Sequence, residues 1–146
     1  MRSVEPPVRY LSADEVWRLH LRVAAQAERL GKSFQPGVRD QGLLEAAVNQ
    51  PRQSFGGVDL YPDVFDKGVA LMRGIICGHV FVDGNKRTGL LAGAMFLEHN
   101  GSVLDMDDGQ LVALALDVAG AREQGKEPIG VEEIAQRLRK AAKRIG

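Results

Sequence analysis

His79-Val80-Phe81-Val82-Asp83-Gly84-Asn85-Lys86-Arg87-Thr88 separates two strongly apolar runs, and the way the chain turns there decides the fold. Upstream, Phe65, Val69, Met72 and Ile76 trace one stripe at helical spacing, widened by Leu71 and Ile75. Downstream, Leu90-Leu91-Ala92-Gly93-Ala94-Met95-Phe96-Leu97 is apolar nearly all round, as a central, buried helix is. The stretch between them is therefore a tight helix–loop–helix corner, with Gly78 ending the first helix and the second beginning at Asn85 or Lys86. Pro62-Asp63 marks where the first of these helices starts, since proline suits a first turn and an acidic group there complements the dipole. Asn100-Gly101 closes the second, with His99 offsetting the dipole in its last turn.

Such a corner has chemical consequences. A helix start presents unpaired N–H groups and the positive end of the dipole, which together attract an anion. Gly84 removes a side chain where the backbone must approach that anion. Lys86 and Arg87 add two cations to an end that mildly disfavours them, and a bound polyphosphate supplies the reason. Histidine titrates near neutrality, so His79 can take a proton from a hydroxyl nucleophile. Asp83 can hold Mg²⁺, which usually takes one or two carboxylates with phosphate oxygens. Phe81 points into the core and anchors the loop. Base, metal carboxylate, anion hole and cationic clamp make a phosphoryl-transfer set. The competing reading is a structural corner in which Asp83 and Asn85 cap the next helix. Capping leaves His79, Lys86 and Arg87 unexplained.

The rest of the chain reads as further helices around this pair. An extended lead-in through Pro6 and Pro7 is followed by Ser12-Ala13-Asp14-Glu15, which fits a capping box. Val16, Leu19, Val23, Ala27 and Leu30 continue at helical spacing to Gly31, and His20 on that helix reads as solvated or flanking. After the Pro36-Gly37 turn, Leu43, Leu44, Ala47 and Val48 form a short helix that stops before Pro51. Residues 50–62, broken by Pro51, Gly56, Gly57 and Pro62, are either a connector or a flap beside the site. Val103-Leu104 suits a short extended piece. Leu111, Leu114, Ala115 and Val118 give another helix, and Val131, Ile134, Leu138 and Ala142 the last. Arg137, Arg139, Lys140, Lys143 and Arg144 line that helix's outer face, which reads as solvated rather than as a nucleic-acid or partner patch. The expectation is all-α, a single domain over residues 1–146 with about six helices.

Composition agrees. With 146 residues, 45% of them hydrophobic, the chain can bury a core without disulfide or metal staples. Lys plus Arg and Asp plus Glu are 19 each, a balance that argues against a protein built to coat nucleic acid. The single cysteine, Cys77, reads as a small buried hydrophobe rather than a nucleophile, and a lone thiol suits a reducing cytoplasm. No stretch approaches a membrane span, and no signal peptide is visible.

Residues 79–88 strongly resemble the signature of the Fic/Doc (Fido) family. The Fic branch reads His-x-Phe-x-Asp/Glu-Gly-Asn-Gly-Arg-x-x-Arg; the Doc, or death-on-curing, branch reads closer to His-x-Phe-x-Asp-x-Asn-Lys-Arg-Thr, and this sequence follows the second. Tyr10 to Val16, Gly37 to Glu45 and Phe96 to Gly101 also look like the corresponding Doc segments. Lys86 and Leu90 replace the second glycine and final arginine with which Fic enzymes seat ATP for AMP transfer. Gly84, where the Doc pattern has alanine, is the Fic choice. The resemblance implies a compact all-α Fido fold and a toxin of a toxin–antitoxin pair. Such a toxin moves the γ-phosphate of ATP, with Mg²⁺, to a threonine of elongation factor Tu. In that implied site His79 is the general base, Asp83 the metal carboxylate, and Gly84, Asn85, Lys86, Arg87 and Thr88 bind phosphate. The implied partner is a Phd-like antitoxin, through which alone the protein meets DNA. AMP transfer is the alternative chemistry, and an idle antitoxin-binding co-regulator the alternative of another class.

Overall fold

The structure, a computed structural model, describes residues 6–124 and 129–145. Six helices account for most of it: α1 Ala13–Arg29, α2 Gln41–Asn49, α3 Val64–Gly78, α4 Asn85–His99, α5 Asp108–Gln124 and α6 Val131–Ala141. Two short antiparallel ribbons, absent from the sequence reading, complete the helical fold: β1 Ser54–Phe55 with β2 Val58–Asp59, and β3 Ser102–Leu104 with β4 Ala142–Arg144.

Each helix starts for a local reason. Ser12 and Glu15 form the expected capping box on α1, and Gly31 takes the left-handed conformation just past its end. Asp40 caps α2 by accepting from the N–H groups of Gly42 and Leu43. Asp63, not proline, begins α3, so Pro62 stands just outside the helix rather than in its first turn. The last boundary differs from expectation, because α6 stops at Ala141 and the chain straightens. Ala142, Lys143 and Arg144 then pair with Leu104, Val103 and Ser102. Three of the basic residues expected on an open helical face meet carboxylates: Arg137 with Asp117, Arg139 with Asp63 and Asp66, and Lys143 with Asp105. These pairs favour the solvated reading over a nucleic-acid patch.

The centre of the molecule is the α3–α4 pair. Val69, Met72, Ile75 and Ile76 of α3 and Ala92, Phe96 and Leu97 of α4 are buried. Around them close Val16 and Leu19 of α1, Leu44 and Val48 of α2, Leu114 of α5, and Ile134 and Leu138 of α6. Removing each such side chain from water contributes roughly 1.5–3 kcal/mol. Gly89 and Gly93 let the two central helices approach closely: a Cβ on Gly89 would lie 2.6 Å from Ile76 Cγ1, and one on Gly93 2.6 Å from Met72 Cγ.

Residues 50–62 are neither irregular nor loose. The Gly56-Gly57 turn has positive φ at both positions, as a tight two-residue hairpin requires. The hairpin is tied down by Lys67, a buried lysine on α3 whose Nζ donates to the carbonyl of Tyr61 at 2.6 Å and reaches Asp59 and the Pro51 carbonyl at 3.4 Å. A lysine is buried only when its ammonium is satisfied, and here the satisfaction fixes the base of the flap.

Candidate active site

The corner between α3 and α4 sorts its residues by direction. Val80, Phe81 and Thr88 are buried; His79 and Arg87 are exposed; Asp83 and Lys86 are half-buried. His79, rather than Gly78, ends α3, in the left-handed conformation at φ 47° and ψ 52°. It is the sole non-glycine residue with positive φ among the described residues. That conformation costs a non-glycine residue roughly 1–2 kcal/mol, and strain of this kind gathers at functional sites.

The loop that follows is held from two sides. Val38 bridges Phe81, and the Val82 N–H donates to the Gly37 carbonyl at 3.0 Å. Asn85 closes the loop on itself: its Oδ1 accepts from the Phe81 N–H and its Nδ2 donates to the Phe81 carbonyl, both at 2.9 Å. The side chain expected to bind phosphate is thus engaged as a clasp. Asp83 accepts from the N–H of Gly84 at 2.8 Å and lies 3.4 Å from the Gln35 N–H. Helix α4 begins on Gly84 (φ 74°) with no side-chain cap at all. The purely structural reading, in which Asp83 and Asn85 cap this helix, therefore fails. Gly84 is required twice over, by its φ and because a Cβ there would lie 2.7 Å from the Phe34 ring.

Thr88 corrects the sequence reading: its side chain is fully buried and its Oγ1 lies 3.2 Å from His20 Nδ1, so the hydroxyl serves the core and not a ligand. His20 corrects it too. Far from solvated, it is completely buried, stacked on Phe81 at 4.0 Å with an interplanar angle of 8°, and flanked by Trp17 and Phe34. Its Nε2 accepts from the Gly37 N–H at 3.2 Å, which places the ring proton on Nδ1, facing Thr88. One neutral imidazole so connects α1, the Gly37 strand and α4 beneath the loop. The signal was its place beside Val16, Leu19 and Val23 on the buried stripe of α1.

Burial lowers the His20 pKa below its ordinary 6.5, with the charge of Asp83 opposing in part. The unfolded chain takes up this proton as pH falls through 6.5, while the folded chain resists it to lower pH. Stability is thus unaffected above 6.5 and is lost below it. Thermal melts at about pH 7.5 and about pH 5.5 should show this loss, and His20→Gln should flatten it. An unchanged slope in that variant would assign the proton elsewhere.

Two other sequence readings find their places. Cys77 is half-buried, its thiol donating to the Val118 carbonyl at 3.4 Å, which suits a packing residue. Leu90 is half-buried and packs against the core.

Comparison with known sequences decides the lineage: the profile of the Fic/DOC family matches residues 10–97. The chain belongs to the Fic/Doc family. Among its relatives is "Toxin Doc" of Mycolicibacterium smegmatis, 49% identical over 70 residues, a match spanning 48% of this chain and about half (54%) of that protein. Another is "Protein kinase doc" of Escherichia phage P1, 29% identical over 133 residues, or 91% of this chain and 95% of that one. The signature of this Fic/Doc protein thus occupies the strained corner between its two central helices. His79, Asp83, Lys86 and Arg87 lie toward its surface, while Phe81 and Thr88 lie in its core.

A magnesium ion fits the Fic/Doc site only in one way. No group of three or more His, Cys, Asp or Glu among the described residues could hold a resident ion. Asp83, partly exposed, offers one carboxylate, the usual protein share for an ion that arrives with a polyphosphate.

Proposed function

We propose that this site transfers the γ-phosphate of ATP to a hydroxyl of a protein substrate, as the toxin of a toxin–antitoxin pair. The observation that carries the reading is the exposed His79, strained at the end of α3, beside the uncapped start of α4 that bears Lys86 and Arg87. In this reaction the substrate hydroxyl gives its proton to the His79 imidazole as its oxygen bonds to the γ-phosphorus. The bond from that phosphorus to the bridging oxygen breaks, and ADP leaves. The start of α4, Gly84, Lys86 and Arg87 hold the phosphates. Asp83 would hold Mg²⁺, which when bound neutralises charge developing on the phosphate oxygens. Asn85 acts by keeping the loop closed.

Phosphate transfer is favoured over AMP transfer by position 90. The Fic-branch signature has a cation there, one turn into the helix; here Leu90 is packed against the core. The name "Protein kinase doc" borne by one relative points the same way. A non-catalytic co-regulator would have no use for a histidine held in a strained conformation.

The substrate we infer is elongation factor Tu, in the cytoplasm, and the inhibitor a Phd-like antitoxin that links the toxin to DNA. No helix among the described residues is long and apolar enough to cross a membrane. The β1–β2 hairpin suits substrate docking, because Phe55 and Val58 are 82% and 69% exposed on an edge that Lys67 holds firm. Expression in a bacterium without the antitoxin should arrest growth, and elongation factor Tu from those cells should carry one added phosphate by intact mass. Growth arrest with unmodified factor would overturn the choice of substrate.

A further inference from the structure

The loop that carries the base is gripped by one residue from another part of the chain. Arg39 Nε donates to the His79 carbonyl at 2.7 Å, and its Nη2 to the Gly78 carbonyl at 3.2 Å. Its own backbone N–H donates to the Val80 carbonyl at 2.8 Å. Three consecutive carbonyls, those of Gly78, His79 and Val80, therefore end on one residue. Helix α3 has no basic residue in its last turn to meet its exposed carbonyls and negative dipole end. Arg39 is the cation that does so, and it does so where His79 is held left-handed.

We propose that Arg39 is the positioning residue of the general base: its guanidinium clamps the end of α3 and so fixes the direction of the His79 imidazole. The His79 N–H already bonds back to the carbonyls of Ile75 and Ile76, but those bonds end the helix and leave the peptide after His79 to be set. The guanidinium sets it through two donors in a fixed fork. Arg39 touches no reacting atom, so its loss acts on orientation. Lysine, with a single ammonium, cannot reproduce the fork and should rescue only in part. The inference rests on the phosphate-transfer reading for its kinetic consequence, though not for its structural one.

The test compares Arg39→Ala and Arg39→Lys with Asp40→Ala, which removes the cap of α2 next door without touching His79. Backbone ¹⁵N relaxation should show His79 and Val80 falling from the rigid order parameter of about 0.85 toward about 0.6 in Arg39→Ala alone. For transfer of labelled γ-phosphate to purified elongation factor Tu, kcat should fall about 10- to 100-fold with the KM for ATP unchanged. Arg39→Lys should lie between Arg39→Ala and the parent. A kcat loss no larger than that of Asp40→Ala, or order parameters equal to the parent's, overturns the proposal. If the parent itself transfers no phosphate, the reaction proposed above falls, and the order parameters alone decide for or against Arg39.

Discussion

Replacing His79 by alanine should lower phosphate transfer by about 10²–10⁴-fold, the usual contribution of a positioned general base, while ATP binding changes little. Binding is spared because His79 stands at the end of α3, outside the set of groups proposed to cradle phosphate. The same position makes a second comparison informative. At φ 47° a β-carbon is strained, so alanine keeps the cost and glycine removes it. His79→Gly should be as inactive as His79→Ala yet more stable by about 1 kcal/mol. In a chain of this size that is a rise of roughly 2–4 °C in melting temperature. The parent would then be less stable than its own dead glycine variant, as expected where stability has been given up to aim a base. Equal melting of the glycine and alanine variants would show that His79 carries no backbone strain, and the conformational argument for the site would fall.

A second large effect is expected at Gly89. Adding one methyl group there places a Cβ 2.6 Å from Ile76 Cγ1, 3.0 Å from Ile76 Cδ1 and 3.3 Å from the Met72 carbonyl oxygen. The isoleucine has no free direction in a packed core and the carbonyl belongs to the α3 backbone, so the two central helices must part. Overpacking of this kind costs about 1–3 kcal/mol. Gly120 in α5 supplies the opposite case, since a Cβ there meets nothing within 4 Å. Gly120→Ala should stabilise by about 0.5–1 kcal/mol through helix propensity alone. The contrast, one chemical change with two signs, is read from chemical denaturation midpoints. Gly89 also lies one turn beyond Asn85. Its alanine variant should therefore lose ATP affinity as well as stability, because the start of α4 moves with the helix. Destabilisation of both glycine variants alike would mean that close helix approach is not what holds the corner.

The helical fold was legible wherever a local pattern existed. The Ser12–Glu15 box, the stripe of α3 and the apolar length of α4 each announce themselves within one element. So did the main chemistry of the corner, since two cations at a helix start conflict with the dipole unless something anionic is bound. What escaped depends on residues far apart in sequence. The β3–β4 ribbon joins Ser102–Leu104 to Ala142–Arg144, a segment with no β-branched or aromatic residue to mark it. His20 looked like any surface histidine until Phe81, 61 positions on in the numbering, was found stacked on it. Arg39 reaches the end of α3 across 40 positions, and a guanidinium's destination leaves no trace in local spacing. Thr88 is a different matter, because Thr88, Ala92 and Phe96 fall four apart on the inner face of α4. That period was available; the strength of the surrounding motif drew the threonine into the binding set instead. In each miss, the residue supports the site from beneath or behind rather than facing the phosphate.

The central claim is that the outermost phosphorus of ATP moves and that His79 accepts the proton that lets it move. Parallel incubations with ATP labelled at the α-phosphate and at the γ-phosphate, with purified elongation factor Tu as acceptor, test it most directly. Protein-bound label should come from the γ-position alone and vanish in His79→Ala. Label retained from the α-position would mean that AMP is transferred, and the account of Lys86 and Leu90 would be wrong.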